Sequence, residues 1–299
     1  MDDLLGAWAL DVCDDTEAAA VQAHLDECPA CAAEAGRLRA AATWLGAEQV
    51  TSPPAHLRQS VLDRARRTRA PSTLHTLIGA YARQVAALDR TLRDLTAGDW
   101  RRPDPRHGDL TGLIRHLTGN DARLAGDLQL PVVRMPTARV RDAWRTQADT
   151  LIQSLADDTD LEQGVTLAGR AGPSPGVLRD ALVQRTFETW IHHEDVRGGL
   201  LAPPAEHVRR IVSLAVSLLP GAVAARGLAR PGVGLLDLTG RAGGRWSLPF
   251  GDFVLRADAT DFARLVANRR RPDHLDYTVE GDRRLAEQML AVASTLGCD

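Results

Sequence analysis

The sequence predicts a mainly α-helical chain that closes in an α+β domain, and three observations carry that expectation. Between residues 74 and 196, four long segments repeat apolar residues at helical spacing with short connections, the pattern of a helix bundle. Ahead of them, residues 1–70 hold short helical stretches around a His-x-x-x-Cys-x-x-Cys. Beyond Gly198-Gly199 the period changes, and short apolar runs between Gly turns read as strands. The expected domains are a small helical module with an arm at 1–70, a four-helix bundle at 71–200 and an α+β domain at 201–299.

Composition sets the outer bounds. The 299 residues are 44% hydrophobic and 25% charged, the balance of a soluble globular protein. A net charge of −3 gives no reason to expect direct nucleic-acid binding. All 36 basic residues are Arg, which points to a GC-rich coding genome. No uninterrupted apolar run reaches about 18 residues, so no membrane partner is expected. The most apolar stretch, 211–225, contains Pro220 and reads as a buried helix. The acidic start Met1-Asp2-Asp3 is unlike a signal peptide, and four Cys with one CxxC suit a reduced, cytoplasmic protein.

In the first module, residues 4–10 read as a short helix. Asp14 followed by Glu17 forms a capping box that opens a second helix over 18–27. His24 and Cys28 share a face of that helix, Pro29 turns the chain, and Cys31 comes round beside them. An imidazole and two thiolates suit zinc; the alternative is a helical hairpin with two buried thiols and no metal. A third helix spans 32–45. No fourth ligand is evident. Cys13 lies at the far end of the second helix, which rises by ~13 Å between residue 15 and His24, and reads as a packing residue or free thiol. After Pro53-Pro54, residues 56–70 are helical in pattern, with Leu57, Val61 and Leu62 on one side. Arg58, Arg64, Arg66, Arg67 and Arg69 accompany them, either facing an acidic partner or simply solvated.

The bundle helices are expected at 74–95, 110–128, 140–155 and 175–196, with a Pro-rich loop at 98–108 and a long loop at 157–176. The fourth helix carries Phe-Glu-Thr-Trp-Ile-His-His-Glu-Asp at 187–195. Glu188 and His192, four residues apart, stand on one helical face and suit one borderline metal; a hydrogen-bonded surface pair is the alternative. Asp195 continues the face and can receive the other imidazole N–H of His192, fixing its tautomer. His116, on the second bundle helix, is the candidate third ligand, whereas His193 lies ~100° round from His192 and points away. Past residue 199 come a helix at 208–225, strands at 234–238, 245–249 and 253–257, and helices at 261–267 and 283–295.

On these residues the sequence resembles two families. His24-x-x-x-Cys28-x-x-Cys31 between helices, with Pro53-Pro54-Ala55-His56-Leu57 after it, is similar to the zinc-binding anti-sigma domain of bacteria over residues 1–70. The run Gln184–Arg197 resembles the metal-binding helix of the mycothiol-dependent maleylpyruvate isomerase family, a branch of the DinB-like bundles. That likeness extends from about Thr73 to the C-terminus, where the α+β part is similar to a sterol-carrier-like domain. It implies zinc or another divalent metal on His116, Glu188 and His192, and mycothiol as cofactor. Asn268-Arg269-Arg270 stands where the family has Gly-Arg, which implies Arg269 as anchor for a substrate carboxylate; a solvent-facing Arg is the alternative. Where the family has Gly-Trp ahead of the first His-bearing helix, this chain reads Gly108-Asp109, a departure that bears on the pocket wall.

Two functions of different class follow as expectations. In the first, residues 1–70 bind a sigma factor of the extracytoplasmic-function type, and the remainder senses a small thiol or small carboxylate. In the alternative the chain is an enzyme, a mycothiol-using isomerase or thiol S-transferase with an accessory zinc module. Three protein ligands would leave an open metal position, where a coordinated thiol loses its proton. An inert metal-stabilised scaffold is the third reading. The fusion favours the regulator, because an isomerase has no need of an anti-sigma module.

Overall fold

In the N-terminal unit, Met1–Ala70, helices α1 (Asp2–Ala9), α2 (Asp15–Glu27) and α3 (Pro29–Ala47) pack around Leu5, Val21 and Ala35. The structure, a computed structural model of the chain, describes residues 2–47, 56–57, 60–61, 73–134, 139–155, 159–170 and 172–297. The capping box is present. Asp14 Oδ1 accepts from the N–H groups of Thr16 and Glu17 at 2.9 and 2.8 Å, and the Asp14 N–H donates to Glu17 at 3.1 Å. Helix α3 starts at Pro29 rather than at 32, because proline's fixed φ and missing N–H suit the first turn of a helix. Of the expected arm, Leu57 and Val61 are exposed; Pro53, Pro54, Leu62 and the five arginines lie outside the described residues.

The second unit, Pro71–Asp299, opens with α4 (Thr73–Arg93) and a helical turn, α5 (Ala97–Trp100). A short hairpin, β1 (Pro103–Asp104) and β2 (Gly108–Asp109), leads into α6 (Leu110–Asp127), then α7 (Val140–Ser154). Hairpin β3 (Gly164–Leu167) and β4 (Ser174–Val177) precedes α8 (Leu178–Arg197). Helices α4, α6, α7 and α8 form the bundle around Tyr81, Leu88, Leu113, Ile114, Trp144 and Leu182. Two segments expected as loops thus contain hairpins. In the second, Gly176 lies so close to Leu167 that a Cβ there would sit 2.4 Å from its side chain.

Helix α8 is buried on all sides, because α4 and α6 cover it from the bundle and the C-terminal part covers the rest. Several of its buried polar side chains have partners. Gln184 bonds both backbone groups of Ala168, His193 Nε2 lies 2.8 Å from Thr91 Oγ1, and Glu194 accepts from Arg264 at 2.9 Å. Buried Asp89 pairs with Arg93 at 2.6 Å and Arg141 at 2.7 Å, tying α4 to α7.

The C-terminal part contains α9 (Ala205–Ala224), β5 (Val233–Thr239), β6 (Gly244–Leu248), β7 (Asp252–Asp258), α10 (Ala259–Val266), β8 (Tyr277–Gly281) and α11 (Arg283–Ala293). Its sheet has the order β6-β5-β7-β8, with β5 and β7 parallel and the outer pairs antiparallel. Strand β8 adds to the three expected. It is an edge strand reading Tyr-Thr-Val-Glu-Gly, too polar to stand out from the turns around it. By length and composition α9 is apolar enough to cross a membrane; here it buries Val208, Ile211, Val212, Ala215, Leu219 and Val223 in the core.

His207, also buried on α9, sets a pH dependence. Burial first, then Arg83 at 3.0 Å, lowers its pKa to about 4, so the folded chain holds it neutral. The unfolded imidazole titrates near 6.5. This contribution to stability is therefore complete above that pH and is lost as pH falls towards 4, by up to ~1.4 kcal/mol per pH unit. Urea unfolding between pH 7 and 4.5 should show a slope flatter by about one proton in His207→Gln. An unchanged slope would contradict the assignment.

Candidate metal centres

Three imidazoles meet in the second unit, each from a different element. His107 lies in the β1–β2 turn, His116 on α6 and His192 on α8. Ring centroids are 4.5 Å apart for His107–His116 and 5.3 Å for each of the other pairs. One nitrogen from each falls within 4.8 Å of the others.

Local chemistry aims His107. Asp104 Oδ1 accepts from the backbone N–H groups of Arg106 and His107 at 2.9 and 2.7 Å, closing the turn. Gly108 follows with φ +84°, and Asp109 caps α6 by accepting from the Gly112 N–H at 2.8 Å. A Cβ at Gly112 would lie 1.9 Å from the His107 carbonyl oxygen, so only glycine lets the turn sit this close to α6. Gly112→Ala should displace His107 and weaken bundle metal binding by about 10–100-fold, the scale of losing an outer support. Competition with a chromophoric chelator measures this, with circular dichroism checking that helix content is kept.

His192 is fully buried, and its Nδ1 lies 3.0 Å from Asp195 Oδ2, which makes Nε2 the nitrogen to ligate a metal. Arg269, beyond α10, grips both Asp195 oxygens at 2.6 and 3.1 Å. Burial alone would raise the Asp195 carboxyl; hydrogen bonds from His192 and Arg269, with their charges, outweigh it and hold the pKa at about 2. The Arg269 guanidinium, expected as a substrate anchor, is thus engaged with Asp195.

Glu188 stands apart from the three imidazoles. Its Oε2 forms an ion pair with Arg185 Nη1 at 2.6 Å and accepts from Asn120 Nδ2 at 3.0 Å, all three residues being buried. Arg123 donates to Asn120 Oδ1 at 2.9 Å, which orients the amide so that its Nδ2 also lies 3.1 Å from His116 Nε2. One amide therefore separates Glu188 from His116. Arg185 lies 3.8 Å from buried Asp121 as well. Burial pushes Asp121 up to about 7, Arg185 and Tyr81 oppose this, and the Glu188 charge adds to it.

In the N-terminal unit, ligand atoms of His24, Cys28 and Cys31 fall within 4.8 Å of one another, with His24 Nε2 3.3 Å from Cys31 Sγ. Hydrogen bonds from the Cys31 backbone and thiol hold the Cys28 thiol below its usual range, which favours the thiolate a metal needs. Cys13 is not in this group; its thiol donates to the Leu4 carbonyl at 3.9 Å. Both donor sets suit a divalent metal: imidazole with thiolates for zinc, and three imidazoles, one backed by a carboxylate, for an open zinc-type centre.

Residues 1–32 match a family model described as "Putative zinc-finger", and the matched stretch includes His24, Cys28 and Cys31. Among solved structures, the chain is similar to the mycothiol-dependent maleylpyruvate isomerase at 17% identity and a TM-score of 0.49, covering 70% of this chain and 93% of that one. It is also similar to a histidine-to-alanine mutant of that isomerase at 16% identity and a TM-score of 0.48, with the same coverage. A search of curated proteins finds no match.

His107 is the site residue that sequence reasoning missed. It sits in a Pro-rich stretch with no helical or strand period. Its signals are local: an Asp three residues before it, a Gly after it, and Gly112 in the first turn of the next helix.

Proposed function

We propose that the chain is a zinc-binding, anti-sigma-factor-like regulator whose bundle is a metal-dependent, thiol-handling sensor. One observation supports this above the rest: the zinc-finger segment carries its own His24/Cys28/Cys31 set, while a second donor set lies in a separate unit. The proposed partner is a cytoplasmic sigma factor of the extracytoplasmic-function type. Exposed Leu10, Val12, Trp44 and Leu45 offer it apolar contacts on the first unit.

In the sensor, His107, His116 and His192 hold the divalent metal, with Glu188 the carboxylate in reserve one amide away. The metal, once bound, lowers the pKa of a thiol ligand. Asp195 fixes the His192 tautomer, and Arg269 keeps Asp195 ionised and in place. Asn120 orients His116. Mycothiol is the candidate thiol, because Gln184–Arg197 resembles the helix of a family that uses it. The enzyme reading, a thiol-dependent isomerase or transferase, draws on the same open position of the three-imidazole set.

Co-purification of the full chain with a sigma factor of this type separates the readings. A stable complex, lost in Cys28→Ser, is expected. Absence of any complex, together with turnover of maleylpyruvate in the presence of mycothiol, would favour the enzyme.

A further inference from the structure

A cavity of about 800 Å³ opens on the second unit between α4, the first turns of α8, α9 and the β5–β6 turn. It is separate from the three imidazoles: Val183, on its wall, lies ~13 Å along α8 from His192. The size is that of a site for a small organic ligand. Leu77, Val183 and Leu214 give it apolar walls.

Its charges are unevenly committed. Arg179 pairs with Glu162 and Asp180, Glu206 accepts from Arg83 at 3.0 Å, and Arg209 donates to the Gly243 carbonyl at 2.8 Å. Arg210 and Arg241 remain. Arg210 Nη1 is buried without a hydrogen-bond partner, a costly state for a cationic donor. A small void beside it, lined by His207 and Thr186, shares Arg210, Leu77 and Val183 with the main cavity. His207 is held neutral and supplies no counter-charge. Arg241 is exposed at the rim and makes no ion pair among the described residues. Two uncommitted guanidinium groups over an apolar wall match one ligand chemistry, because the planar fork of Arg suits a carboxylate.

We propose that this cavity binds a small organic carboxylate with an apolar body, its carboxylate on Arg210 and Arg241 and its body against Leu77, Val183 and Leu214. The inference goes beyond the metal-dependent reading and does not rest on it.

Equilibrium dialysis of the full chain against radiolabelled octanoate tests the proposal. One saturable site is expected, with equal affinity in the presence and absence of added zinc. Arg210→Gln and Arg241→Gln should each weaken binding about tenfold or more, the scale of a lost charged hydrogen bond. Labelled octanol, which keeps the body without the charge, should bind about tenfold more weakly than octanoate. Arg241 is exposed, so its variant decides the matter if Arg210→Gln disturbs packing. Absence of saturable binding, unchanged affinity in the Arg241 variant, octanol binding as tightly as octanoate, or binding only with zinc would each overturn it.

Discussion

His192→Ala or His116→Ala should cost the chain one of at most two divalent ions, leaving the ion on His24, Cys28 and Cys31 in place. Elemental analysis after mild purification reads this out. The loss should exceed the ~10–100-fold that removal of an outer partner causes, because a direct ligand is gone. His107→Ala is expected to behave in the same way, since its ring closes the set at 4.5 Å from His116 and 5.3 Å from His192. Glu188→Gln should differ. Its carboxylate already serves Arg185 and Asn120, so the variant should keep the ion and lose stability instead. Stranding a buried guanidinium costs about 3–5 kcal/mol; the low end is expected because Asp121, 3.8 Å from Arg185, remains. If Glu188→Gln loses the ion while His107→Ala keeps it, Glu188 is the third ligand and the Arg185 pair gives way on metal binding.

The second large effect concerns the first unit. Cys28→Ser should unfold it, because the described core there is only Leu5, Val21 and Ala35 with a few half-buried neighbours. Zinc in modules of this size contributes on the order of 10 kcal/mol to folding. Limited proteolysis should then degrade residues 1–47 while the unit from 73 onwards resists. Equal resistance of the variant and the parent chain would mean that the module folds without its metal.

Much of this architecture was legible in the residues. The helices of the bundle follow from periodicity, the start of α2 from its capping box, and the His192–Asp195 contact from a three-residue spacing on one face. The misses share a physical cause. His107 is placed by an Asx turn and by the missing Cβ of Gly112, neither of which leaves a period. The β3–β4 hairpin and edge strand β8 are short and partly polar, so neither alternation nor an apolar run marked them. Glu188 is a separate case, since the ion content of Glu188→Gln decides its place as a metal ligand. Helical spacing pairs it with His192, but it pairs it equally with Arg185 one turn earlier. On a helix buried on every side, no solvent-facing stripe says which partner prevails.

Cobalt in the bundle site tests the proposed thiol-binding centre directly. A fragment beginning at residue 71 excludes Cys28 and Cys31 as sulfur donors. Addition of mycothiol or a simple thiol analogue should then produce an intense sulfur-to-cobalt charge-transfer band in the near ultraviolet. His116→Ala should abolish the band, and His193→Ala should leave it nearly unchanged, because His193 faces Thr91 on α4. No band at saturating thiol, or an undiminished band in His116→Ala, would contradict a thiol-binding metal held by these residues.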